Sequence, residues 1–113
     1  MRPLLLGLVA ASLAAAGCGG SDVSREVGAR CDVSAECDDR CLMPGGDWPG
    51  GFCTLSCDSD ADCPSDARCV DDEGGVCLFE CALPADCGFL GAGWTCTTRD
   101  GRPDGQVMVC RGG

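Results

Sequence analysis

Thirteen cysteines in 113 residues constrain this chain more than any other feature. Twelve of them, at positions 31, 37, 41, 53, 57, 63, 69, 77, 81, 87, 96 and 110, divide into three groups of four. In every group five residues separate the first cysteine from the second, and three residues separate one group from the next. The groups begin at 31, 57 and 81, and their openings repeat residue by residue: Cys31-Asp32-Val33-Ser34-Ala35-Glu36-Cys37, Cys57-Asp58-Ser59-Asp60-Ala61-Asp62-Cys63 and Cys81-Ala82-Leu83-Pro84-Ala85-Asp86-Cys87. A repeat of this length is one supersecondary unit used three times. Once cysteine is set aside, the apolar residues are too few for an ordinary core, with only three Phe, two Trp and no Tyr. The expected fold is therefore small and disulfide-rich, with three tandem four-cysteine units spanning 31–56, 57–80 and 81–113. Short β-hairpins and helical turns account for most of its regular structure.

Each unit opens with a helical turn. Ser34, Asp60 and Pro84 stand where that turn starts, as N-cap candidates or a first-turn proline. Glu36, Asp62 and Asp86 follow in its positive end. Asp58-Ser59-Asp60-Ala61-Asp62 also resembles the start of a calcium-binding loop. Cys63 and Pro64 stand where such a loop needs glycine, however, and Cys69 where it needs a bidentate glutamate, so these acids are read as capping groups. Each unit then turns back on itself. In unit two Ala67–Val70 and Val76–Leu78 flank an acidic, glycine-rich tip. In unit three Trp94–Thr98 and Gln106–Cys110 flank two Asp-Gly turns, at 100–101 and 104–105. Residues 43–52 of unit one contain two Pro-Gly-Gly runs and read as a loop.

Four cysteines can pair in three ways, and sequence alone leaves all three open within each unit. The favoured pattern is first to third and second to fourth, because crossed bridges staple the opening turn to the hairpin. That gives Cys31–Cys41, Cys37–Cys53, Cys57–Cys69, Cys63–Cys77, Cys81–Cys96 and Cys87–Cys110. The chain has no Cys-x2-Cys pair and no histidine, so neither a redox motif nor a zinc ribbon is expected, and no metal or other cofactor.

The amino terminus reads as an address. Arg2 precedes thirteen small or apolar residues, Leu4 to Ala16, which in a helix reach about 20 Å, short of the ~30 Å of a hydrocarbon core. Residues 1–17 are therefore expected to be a removable signal. The ending Ala15-Ala16-Gly17-Cys18 resembles the bacterial lipobox, with Ala15 where that motif usually carries leucine. The resemblance implies that Cys18 is acylated and becomes the first residue of the mature protein, anchored in a membrane by its lipid. Cys18 is also the odd cysteine beside an even set. Gly19 in place of aspartate is similar to signals for the outer membrane or cell surface. Ordinary cleavage after Ala16, giving a secreted protein, is the alternative. Residues 19–30 are small and polar and are expected to form a flexible tether, the folded part starting at Cys31.

The run Cys57-Asp58-Ser59-Asp60-Ala61-Asp62-Cys63-Pro64-Ser65-Asp66-Ala67-Arg68-Cys69, closed by Val76-Cys77, resembles the cysteine-rich repeats of bacterial secreted and lipid-anchored proteins. These repeats are themselves similar to the Dickkopf amino-terminal cysteine-rich domain. The likeness is best over 57–81 and weakest over 31–53, and unit three has Pro84 in place of the aspartate. It implies a disulfide scaffold. Nothing in these residues carries the animal family's receptor binding.

Eighteen carboxylates against eight arginines give a net charge of −10, which repels nucleic-acid phosphates. Without histidine, acid–base catalysis would fall to carboxylates in a concave apolar site, which a thin disulfide ladder does not build. The expectation is no enzyme and no catalytic residue, but a lipid-anchored binding or structural module with a protein or glycan partner. The alternative is a secreted inhibitor or toxin-like effector that presents the 42–52 loop. Trp48, Phe52, Phe79, Phe89, Leu90 and Trp94 are read first as cover for the disulfides and second as a contact surface. Of these, Trp48, Phe52, Phe89 and Trp94 are the candidate contacts. Trp48, in a Pro-Gly loop, is expected to be the most exposed.

Overall fold

A computed structural model describes residues 23–113; the expected signal, Cys18 and residues 19–22 lie outside the described residues. The fold is a small disulfide-rich domain of three hairpins, each capped by a short 3-10 helix. Unit one carries the 3-10 turn Ser34–Glu36 and strands β1 (Arg40–Leu42) and β2 (Phe52–Thr54). Unit two carries Asp60–Asp62, β3 (Ala67–Val70) and β4 (Val76–Phe79). Unit three carries a longer 3-10 helix, Pro84–Leu90, then β5 (Trp94–Asp100) and β6 (Gln106–Gly112). Each hairpin is a separate two-stranded antiparallel sheet.

Register explains the bridges. The third and fourth cysteines of every unit are direct cross-strand partners, Cys41 with Cys53, Cys69 with Cys77 and Cys96 with Cys110. They leave the same face of their hairpin side by side, and the 3-10 turn lies across that face with the first and second cysteines. The third cysteine joins the first and the fourth joins the second: Cys31–Cys41, Cys37–Cys53, Cys57–Cys69, Cys63–Cys77, Cys81–Cys96 and Cys87–Cys110. The two bridges of a unit are stacked closely, the sulfurs of Cys31, Cys37 and Cys41 lying within 4.8 Å of one another. The same holds for Cys57, Cys63 and Cys77 and for Cys81, Cys87 and Cys110.

The turn is held by its acids, in a different way from simple N-capping. Ser34, Asp60 and Pro84 are the first helical residues, and Val33, Ser59 and Leu83 occupy the N-cap position without a side-chain cap. The carboxylates three residues beyond the cap reach back instead. Glu36 accepts from the backbone N–H groups of Asp32 and Val33, Asp62 from Asp58 and Ser59, and Asp86 from Ala82 and Leu83. Ser34 Oγ and Asp60 Oδ1, freed from capping, accept from the N–H of the third cysteine, Cys41 and Cys69, at 3.1 and 2.8 Å. Hydrogen bond and disulfide therefore fasten the same turn to the same strand.

The units are not beads on a string. Val76-Cys77-Leu78-Phe79 is apolar at four consecutive positions, the pattern of a strand covered on both faces, and β4 is buried throughout. Around it one cluster takes Leu42, Trp48 and Phe52 from unit one and Val70, Val76, Leu78 and Phe79 from unit two. Leu90, Trp94 and Val109 join it from unit three. Backbone bridges pair Ser56 with Val76, Val70 with Gly101 and Glu80 with Val109, so unit two is hydrogen-bonded to both neighbours. Thr54, the buried polar side chain of β2, donates to Cys77 O at 2.7 Å and accepts from Cys77 N–H at 3.0 Å. The expectation that the apolar residues are too few for a core is thus corrected. A real core exists, placed between units where no single unit's composition reveals it.

Three further expectations are corrected here. Residues 24–30 are not a tether. Ser24 bridges to Gly28, Gly28 N–H donates to Cys53 O, Cys53 N–H donates to Ala29 O, and Val27 is fully buried. The segment adds a short edge beside β2, and Gly28 (φ +104°) lets it lie against the Phe79 ring, which a Cβ would strike. Phe52 opens β2 and does not belong to the preceding loop. Asp100-Gly101 is not a separate turn either. Asp100 ends β5, Gly101 N–H bonds Gly105 O, and Arg102 N–H bonds Cys69 O, so contact with unit two shapes one connection from 101 to 105.

Because Phe79 sits at the junction, it separates the contributions of core and bridges. With all six disulfides intact, Phe79→Ala is expected to lower unfolding free energy by about 3–5 kcal/mol in chemical denaturation. A loss under about 1 kcal/mol would mean the bridges hold the units together unaided.

Candidate functional site

The aromatic side chains converge. Trp48 stacks on Phe52 with centroids 6.4 Å apart, Phe52 meets Phe79 edge-on at 5.9 Å and Trp94 at 5.2 Å, and Phe79 meets Phe89 at 5.3 Å. Three of the four candidate contacts are consequently inside: Trp48 is 6 % exposed, Phe52 0 % and Trp94 8 %. The Pro-Gly loop around Trp48 folds back by mutual hydrogen bonds between Gly45 and Trp48. Arg111, 5.0 Å above the indole, closes it from outside. Only Phe89, on the third 3-10 helix, keeps a large exposed face, at 42 %. Phe79 and Leu90 are buried, as cover for the core.

Phe89 stands on the wall of a groove of about 450 Å³, where the amino-terminal segment, the unit-one loop and the third helix meet. Val23, Arg30, Pro49, Leu90 and Trp94 line it with Phe89. Arg30 is exposed and donates from Nη2 to Leu90 O at 3.5 Å. It forms no ion pair among the described residues. Its guanidinium lies over Gly50 and Gly91, both at positive φ, where a Cβ would collide with it. Val23 and Arg30 belong to the segment read as a tether, so sequence reasoning missed this half of the groove. Gly28 was the available signal, since a glycine in a run of larger residues often marks close approach of backbone to another chain segment.

Among the described residues, five other arginines form ion pairs, and four of these have structural roles. Asp72, 12 % exposed, accepts from Arg99 Nη2 at 2.7 Å and from Arg111 Nε at 3.0 Å, fastening the tip of unit two to β5 and β6. Arg111 continues to Trp48, which links all three units. Arg102 donates to Asp71 at 2.8 Å and to Gly74 O at 2.8 Å. Arg68 bridges Asp60 and Glu80, both at 2.8 Å.

The carboxyl groups whose ionisation the fold perturbs all move one way. The N–H groups of Asp32 and Val33 push Glu36 below its ordinary value. The Cys69 N–H, with help from Arg68, does the same to Asp60, and those of Ala82 and Leu83 do so to Asp86. A general acid needs the opposite shift. The clustered cysteine sulfurs are bonded in disulfides and offer no thiolate to a metal. What the surface presents is a shallow apolar groove with one cation at its rim. Comparison with protein-family models, with curated proteins and with solved structures finds no match to this chain.

The lowered carboxyls set the acid limb of stability. A group whose pKa is depressed by folding contributes fully above its unfolded value and loses that contribution as pH falls through the folded one. Thermal unfolding is therefore expected to be flat from pH 7 to about 5 and to weaken progressively below about pH 4. The combined variant Glu36→Gln, Asp60→Asn, Asp86→Asn is expected to be less stable at pH 7 and to show a flatter acid limb in the same scan. An unchanged limb would show that these three carboxylates do not set it.

Proposed function

We propose that this chain is a non-catalytic, lipid-anchored protein of a bacterial cell envelope, held at the outer membrane or cell surface through Cys18. It acts there as a binding or structural module. The observation that carries this reading is cysteine parity. All twelve cysteines from 31 to 110 are bonded in pairs, which leaves Cys18 as the thirteenth, directly behind an apolar run too short to span a bilayer. In an oxidising compartment a leftover thiol is a liability, and a thioether-linked lipid removes it. One acyl chain binds a membrane only marginally, whereas the two or three implied by the lipobox resemblance hold essentially permanently.

A scaffold reading is also supported by how the side chains are used. The perturbed carboxyls brace the turns or tie them to the hairpins, Arg99, Arg102 and Arg111 cross-link units two and three, and the sulfurs from Cys31 to Cys110 are spent on bridges. The inhibitor alternative needs a protruding 42–52 loop, but Trp48 within that loop and Phe52 at its junction with β2 are both buried in the core. The acidic surface suits solubility and mutual repulsion among crowded copies.

Intact mass of the mature protein tests the anchor and the scaffold together. The expected species begins at Cys18, carries acyl mass, blocks no thiol before reduction and alkylates at twelve positions after it. Cys18→Ser is expected to move the protein from the membrane fraction to the soluble one while the six bridges form normally. An unlipidated mass beginning at Gly17 would overturn the anchor without touching the scaffold.

A further inference from the structure

We infer that the groove between Val23, Arg30 and Phe89 is the face this protein turns to its own membrane, with phospholipid as the occupant. The inference rests on the lipid anchor at Cys18 and adds to it an orientation. Because residues 24–30 are folded onto β2, the linker is far shorter than the sequence suggested. Five residue steps separate Cys18 from Val23, a reach of at most about 18 Å when fully extended. Val23 itself lines the groove and is 49 % exposed. The chain therefore leaves the folded body at the groove, and that rim is tied close to the bilayer surface.

The chemistry at the rim fits an interface between headgroups and acyl chains. Val23 and Phe89 are large apolar side chains left about half exposed, with Pro49, Leu90 and Trp94 behind them. Phe89 rests one edge on Phe79 and directs its remaining face outward, so it reaches the surface on a rigid mount. Arg30 lies beside them with no ion pair among the described residues, whereas Arg111, which lies over Trp48, is paired to Asp72 and Asp47. A guanidinium beside an apolar wedge matches a phosphate above an acyl chain. A folded protein partner fits less well. A domain of 100 residues is about 30 Å across and does not enter a space bounded by a linker of about 18 Å.

The test uses the full lipid-modified protein reconstituted into vesicles of phosphatidylethanolamine and phosphatidylglycerol, with and without brominated acyl chains. Phe89→Trp places a reporter on the proposed face. Asp104→Trp places one in the 101–105 connection, at the far end of β5 from Trp94, about 20 Å along the strand. Emission is read as the difference from the wild type, which subtracts Trp48 and Trp94. The expected result is that brominated lipid removes about half or more of the signal at 89 and less than about a tenth at 104, with Arg30→Glu reducing the quenching at 89. Flotation of the protein with vesicles but no quenching at 89, or equal quenching at both positions, overturns the orientation and leaves the anchor standing. A protein that neither floats nor carries acyl mass overturns both.

Discussion

Two disulfides crossing over a two-stranded hairpin are the constraint on which everything else in this molecule depends. Antiparallel pairing places the third and fourth cysteines of each unit opposite one another, so their side chains emerge together from one face. A three-residue helical turn is unstable alone, as is a hairpin of three or four residues. Bonding the turn's two cysteines to the hairpin's two removes the freedom of both at once. The acidic residue that closes the turn from inside, Glu36, Asp62 or Asp86, and the Ser34 or Asp60 contact to the opposing strand then fix an orientation that the bridges alone would leave loose. Unit three lacks that second contact, since Pro84 has no side-chain acceptor, and has a seven-residue helix in its place.

Crossed bridges make units, and a shared core makes the molecule. The apolar side chains are divided so that no unit has enough to bury by itself, and the cluster around Phe52, Phe79 and Trp94 draws on all three. Unit two occupies the centre because β4 has no polar face to offer water. Polar links then join the units, Asp72 accepting from both Arg99 and Arg111, and Arg111 lying over Trp48. Such pairs contribute more through geometry than through raw Coulomb energy, because the arginines are only partly shielded from solvent. Their effect is to set how one unit sits on the next.

The aromatics show why an exposed surface is hard to read from a loop's composition. Proline and glycine around Trp48 mark irregular backbone, which usually lies at the surface. Irregular backbone can still point a side chain inward, and here the indole is enclosed by Phe52, Trp94 and a guanidinium contributed from sixty-three residues further along. Phe89 had no such signal in its favour. Its exposure follows from a 3-10 helix that buries Cys87 and Leu90 and so turns Phe89, which lies between them, outward. The amino-terminal segment was hidden for a related reason. Small, polar residues without periodicity read as linker, yet two backbone hydrogen bonds to Cys53 and one buried Val27 suffice to fold them onto β2.

What the sequence determined by itself was covalent and local. The even set of cysteines, the five-residue first gap and the alanine–acid pair before each second cysteine specify three turn-and-hairpin units, because ring closure and short-range hydrogen bonding depend only on spacing along the chain. Which residues face water, where the chain stops being linker and how the units lean on one another were decided only in three dimensions. Those outcomes depend on side chains more than twenty residues apart sharing one small apolar volume, and no local pattern records which of them will meet.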